Sequence, residues 1–119
     1  MKLLTRVCAL LGVLVLAACS GANSSMTVNE LNKAQAVGSP FTKVLAAEYR
    51  GFTNMLQHRG DYPDAVHFAR KGLAAADGVI VMPETLDDWD LIDKDIVDLT
   101  GARAQLVDAL ENGGRELVS

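Results

Sequence analysis

Few side chains in this 119-residue chain have the reactivity for covalent or metal chemistry: two cysteines, Cys8 and Cys19, and two histidines, His58 and His67. The histidines stand nine residues apart in separate helical segments, with no HxxxH or HExxH pair, so they do not read as a metal site. Serine and threonine concentrate before residue 40, and no GxSxG or SxxK frame surrounds a nucleophile. An acidic run (Glu84, Asp87, Asp88, Asp90, Asp93, Asp95 and Asp98) lacks the central glycine and the twelfth-position glutamate of an EF-hand loop. It reads as a solvated loop entering a helix N-terminus, where carboxylates complement the dipole; weak Ca²⁺ binding is the alternative. Trp89, the only tryptophan, lies amid those acids and is expected to fold back on the helices rather than bind a ligand. No catalytic residue, metal or cofactor is predicted. The reactive group that its surroundings single out is the thiol of Cys19.

Met1–Arg6 carry two bases, Lys2 and Arg6, and Val7–Ala18 follow without a charged or strongly polar residue. As a helix those twelve residues span roughly 18 Å, too short for a hydrocarbon core of about 30 Å. A basic start, a short apolar run and small residues at its end describe a secretory signal, with Cys8 inside it. Leu16-Ala17-Ala18-Cys19 resembles the lipobox of bacterial lipoproteins, a branched aliphatic residue and two small ones before an obligatory cysteine. The resemblance implies signal-peptidase recognition of Leu16, Ala17 and Ala18, cleavage before Cys19, and acylation of both its thiol and its new amino terminus. Several acyl chains make such an anchor stable where one would be marginal. Ser20 stands where an aspartate retains a lipoprotein in the inner membrane under the enterobacterial sorting rule, so the resemblance points to the outer membrane, facing the periplasm. Once residues 1–18 are removed, the lipidated Cys19 is the remaining cysteine and no internal disulfide is available.

Residues 19–39 follow as the lipidated cysteine and a segment rich in Ser, Asn, Gly and Ala. This composition predicts a flexible tether because it offers little apolar surface to offset ordering entropy. The texture changes at Pro40. Phe41, Leu45, Tyr49, Phe52 and Leu56 recur at spacings of 4, 4, 3 and 4, one stripe of an amphipathic helix with Ser39 as N-cap and Pro40 at its first position. After Gly60, Asp61 is expected to cap a second helix whose apolar face is Ala65, Phe68, Ala69, Gly72, Leu73 and Ala76, with Gly78 ending it. Val79–Pro83 form a short connector. A third helix from about Asp95 to Asn112 is expected to turn Ile96, Leu99, Leu106 and Leu110 onto the hairpin, with Gly113-Gly114 as its stop. No strand pattern competes. The predicted fold is all-α: a three-helix domain over 40–114 with a tail over 115–119.

The stretch from Gly60 to Asp77 resembles the second half of a tetratricopeptide repeat. The resemblance places Gly60, Tyr62 and Ala65 at the turn glycine, turn aromatic and small crossing position, and Phe68, Gly72 and Leu73 near the second-helix packing positions. Tyr49, Phe52 and Leu56 take the first-helix positions, with Thr53 where glycine or alanine is usual. Small residues at a crossing let antiparallel helices approach closely. One such unit cannot bury its open face alone, and no second copy is present, so the third helix is expected to cover it.

Taken together, the lipobox, the polar tether, the FTKVLAAEYRGF and GDYPDAVHFARKGLAAADG segments and the late ARAQLVDALENGGRE resemble the N-terminal region of OmpA-family lipoproteins of alphaproteobacteria. In that family more helix, a cysteine-tryptophan segment and commonly a peptidoglycan-binding domain follow; the residues that grip peptidoglycan have no counterpart among these 119. Two functions are therefore expected: a structural or adaptor lipoprotein of the cell envelope, or the truncated front of a peptidoglycan-associated one without activity of its own. Beyond residue 18 the chain has 9 basic against 15 acidic residues, a net charge of −6, which disfavours nucleic acid and anionic lipid headgroups as partners. A single hairpin has no deep pocket for a small-molecule substrate. The expected partners are the membrane, through the lipid anchor, and an envelope protein or a second copy of the chain.

Overall fold

The structure, a computed structural model, describes residues 22–119. Within them the chain is helical and no strand occurs, the all-α class that the apolar periodicity predicts. Helix α1 covers residues 22–33, α2 Pro40–His58, α3 Tyr62–Ala76 and α4 Asp93–Ala109. A three-residue 3-10 turn, Leu86–Asp88, interrupts the segment between α3 and α4, and a π-type turn, Leu110–Gly114, ends α4. No helix of the described residues is long and apolar enough to cross a membrane.

The α2–α3 hairpin forms over the segments that the apolar stripes mark, but α2 buries Thr42, Ala46, Thr53 and Leu56, while Phe41, Leu45 and Tyr49 of the expected stripe are half-buried and Phe52 is exposed. Ser39 is extended at the N-cap and its Oγ accepts from the Thr42 amide at 3.2 Å, with Pro40 at the start of α2. Asp61 holds the corresponding place before α3, but its side chain makes no capping bond; its backbone carbonyl accepts from the Ala65 amide instead. Ala65, Ala69, Gly72 and Ala76, spaced 4, 3 and 4 apart, are buried along α3 against Ala46, Thr53 and Leu56 of α2 and the helices beside them. Thr53 occupies its crossing position without an orphaned hydroxyl, since Oγ1 donates to the Arg50 carbonyl at 3.2 Å.

Residues 22–33, expected to belong to a tether, instead form the helix that completes the core. Ser24, Val28 and Leu31 lie on one face of α1 and are 0%, 1% and 0% exposed. Val28 and Leu31 pack with Leu56, Ala65 and Ala69, flanked by Tyr49, Phe68 and Leu73. Leu31 reaches the place where the three helices meet: a Cβ on Gly72 would lie 2.6 Å from Leu31 Cδ2 and 2.8 Å from Tyr49 Cβ. The polar residues that give α1 its tether-like composition bind α2. Asn32 and Asn54 exchange amide bonds at 3.0 and 2.9 Å, and Gln57 Nε2 donates to Ser25 Oγ at 2.9 Å. Arg50 donates from Nε to the Leu31 carbonyl at 2.9 Å and from Nη2 to the Ala34 carbonyl at 2.5 Å. A guanidinium there meets the unpaired carbonyls and negative dipole end of a helix C-terminus.

With α1 on the hairpin, α4 does not take that position. Its packing is against the 3-10 turn and its own terminal turn, and none of its residues is buried. Ile96, Leu99 and Leu106, expected to face inward, are 40%, 42% and 49% exposed. The folded bundle thus begins by residue 22 rather than at 40, and its third helix precedes the hairpin. At the end opposite the α2–α3 turn, the Val37 amide donates to the Ala76 carbonyl at 2.7 Å, and Gly38 and Gly78 pass so closely that a Cβ on Gly38 would lie 2.7 Å from Gly78 Cα. Both glycines have positive φ, +95° and +87°, so both the contact and the backbone require them.

Candidate functional site

His67 and Lys71 are four residues apart on α3 and therefore share one face. The segment after α3 returns along that face, and Glu84 meets both. His67 Nε2 lies 3.0 Å from Glu84 Oε2, Lys71 Nζ donates to Glu84 Oε1, and the same ammonium donates to the Met82 carbonyl at 3.0 Å. From α4, Arg103 donates Nε to the Glu84 carbonyl at 2.6 Å and Nη2 to the Pro83 carbonyl at 3.5 Å. Residues 82–84 are thus clasped between α3 and α4 by an ammonium and a guanidinium.

An aromatic tier lies beside the clasp. Phe68 stacks on Trp89 with centroids 5.7 Å apart and planes 13° from parallel, meets the edge of Phe52 at 4.9 Å and stacks on Tyr49 at 6.3 Å. His67 stands edge-on to Trp89 at 5.8 Å. The indole therefore lies on the helices, and its buried Nε1 has no acceptor among the described residues.

The electrostatics follow from this packing. Partial burial pushes the Glu84 carboxyl upward, but hydrogen bonds from Lys71 and His67 and their positive charge outweigh it, so its pKa falls below the ordinary value. Burial raises the Tyr49 phenol above its usual pKa despite the opposing Lys71 ammonium. The lysine, histidine and carboxylate engage one another across a shallow surface, with the His67 side chain 48% exposed. Two shallow hollows adjoin it, one of about 250 Å³ lined by Pro83, Leu86, Leu99, Ala102 and Leu106 among others and one of about 340 Å³ lined by Thr85, Ile96 and Thr100 among others, at or below the lower end of ordinary small-molecule sites of roughly 300–1,000 Å³. The arrangement positions a segment of chain. It does not frame a nucleophile.

Leu16, Ala17, Ala18 and Cys19 lie outside the described residues. Of the hairpin positions, Ala65, Gly72 and Leu56 are buried, and Tyr49, Phe68 and Leu73 are partly buried beside them. Phe52 and Tyr62 are 39% and 36% exposed, at the rim rather than in the core. Gly60 sits exposed in the turn with φ +79°. His58 ends α2 in solvent, away from the His67 clasp. The acidic run divides: Glu84 faces α3, Thr85 Oγ1 donates to Asp88, and Asp93 and Asp95 occupy the first turn of α4. Among the described residues no three His, Cys, Asp or Glu side chains converge to hold a metal. The roles of Lys71, Glu84, Arg103 and Arg50 are not evident from the sequence; the four-residue His67–Lys71 spacing is a local signal, but it does not identify the partner thirteen residues beyond Lys71. No protein-family model matches the chain, and comparison with curated proteins and with solved structures finds no match.

Proposed function

We propose that this protein is an outer-membrane lipoprotein, anchored through acylated Cys19, that acts by protein contact in the cell envelope rather than by catalysis. The observation that carries the contact role is the apolar surface left on α4. Ile92, Ile96, Leu99 and Leu106 are all at least 40% exposed, although the helix is fixed in place by Arg103 and the clasp. A solvated apolar face on a positioned helix favours burial against another protein. The polar side chains best suited to chemistry, His67, Lys71 and Glu84, support the same reading because they are already committed to one another.

A photo-crosslinking side chain placed at Leu106 in cells tests this role. It is expected to give one or a few adducts of discrete mass, which Leu99→Asp removes, while the same group at exposed Asp77 gives none. Absence of any discrete Leu106 adduct would contradict the contact role.

A further inference from the structure

Resting on the reading that Cys19 is acylated, we propose that the end of the bundle formed by the start of α1 and the α2–α3 turn lies against the phospholipid surface, with Met26, Arg59 and Tyr62 in the headgroup layer. Helix α1 is present from residue 22, so Ser20 and Gly21 alone separate it from Cys19. Three residues reach about 10 Å when fully extended. Helix α2, with 19 residues, is roughly 28 Å long. An anchor at Cys19 therefore holds the near end of the bundle at the bilayer and leaves the Gly38–Gly78 end out of reach while the bundle stands.

The same end contains the α2–α3 turn, as the Gln57–Ser25 bond shows. Two shallow cavities open there, of about 520 and 460 Å³, and Tyr62 lines both. Met26 is 70% exposed beside it, and Arg59 is exposed in the turn. An apolar thioether, a phenol and a long basic side chain suit the boundary between headgroup and acyl chain. Charge also favours contact through the bundle rather than through the segment that follows it. Residues 79–119 hold 10 acidic and 3 basic side chains, a net charge of −7, whereas residues 22–78 hold 5 and 6, a net charge of +1. An anionic leaflet repels the first segment and tolerates the second.

The test uses the lipidated protein purified from membranes and placed in phosphatidylethanolamine–phosphatidylglycerol vesicles containing headgroup-nitroxide lipid. Because acylation occupies Cys19, a fluorophore can be attached to one introduced cysteine: Met26→Cys or Tyr62→Cys at the near end, Val37→Cys or Val79→Cys at the far end. Quenching several-fold stronger at positions 26 and 62 than at 37 and 79 is the expected result. Equal quenching at both ends, as in a bundle lying on its side, or none at 26 and 62, overturns the placement. Intact mass of the same samples separates the two ideas: an acylated protein without near-end quenching overturns this orientation alone, and an unacylated one overturns the anchor as well.

Discussion

Glu84 holds the connector to α3 through one carboxylate, so its protonation loosens that contact. Its folded pKa lies below the ordinary value, and the sign follows from linkage: the interaction contributes stability above the unfolded carboxyl pKa and loses it as pH falls through the folded one. Glu84→Gln is expected to lower stability at pH 7 by about 1 kcal/mol, the scale of a partly exposed ion pair. The deficit should shrink as the pH is lowered below about 4.3, the ordinary pKa of a glutamate carboxyl. Thermal melts of both proteins from pH 7 to pH 3 check this. Parallel curves with an unchanged gap would show that the carboxylate charge is not what holds the segment. The sequence shows His67 and Lys71 one turn apart, but their partner comes from a segment whose composition indicates only solvation. Trp89 was legible because an indole in an acidic loop gains from apolar cover, and it has that cover on Phe68.

Elements show most clearly how far local pattern determines tertiary role. The small-residue crossing on α3 was readable because its face is regular over three or more turns, whereas on α2 the helix was readable but its inward face was not: Thr42, Ala46 and Thr53 are buried there rather than Phe41, Leu45, Tyr49 and Phe52. Helix α1 was not readable, because it buries only Ser24, Val28 and Leu31 and is otherwise polar. Its polar side chains make specific bonds to α2, and composition cannot distinguish those from solvated ones. The opposite error affects α4, whose aliphatic residues look like a core face although the hairpin surface they would cover is already occupied by α1. Leu31→Ala is expected to cost about 2–5 kcal/mol, through lost burial and the cavity left against Gly72. Leu99→Ser, at an exposed α4 position, is expected to change stability by no more than about 0.5 kcal/mol. Chemical denaturation of both variants decides which helix belongs to the core, and a reversed order would contradict the packing described.

Across the whole molecule, the parts can be set beside the anchored binding role proposed above. A small bundle starts within three residues of Cys19, His67, Lys71 and Glu84 are tied to one another, and a charged, partly apolar helix is held outside the core. On the proposed anchor, two residues between Cys19 and α1 give the domain little reach from the membrane, and the proposed contacts of α4 would then be made close to the bilayer surface. The anchor is the premise on which that description depends. The intact mass and N-terminal sequence of the mature protein extracted from cell membranes test it most directly. The account predicts a chain that begins at Cys19 and carries the added mass of a diacylglycerol and an amide-linked fatty acid. A chain with an unmodified amino terminus, or one that begins at any other residue, would contradict it.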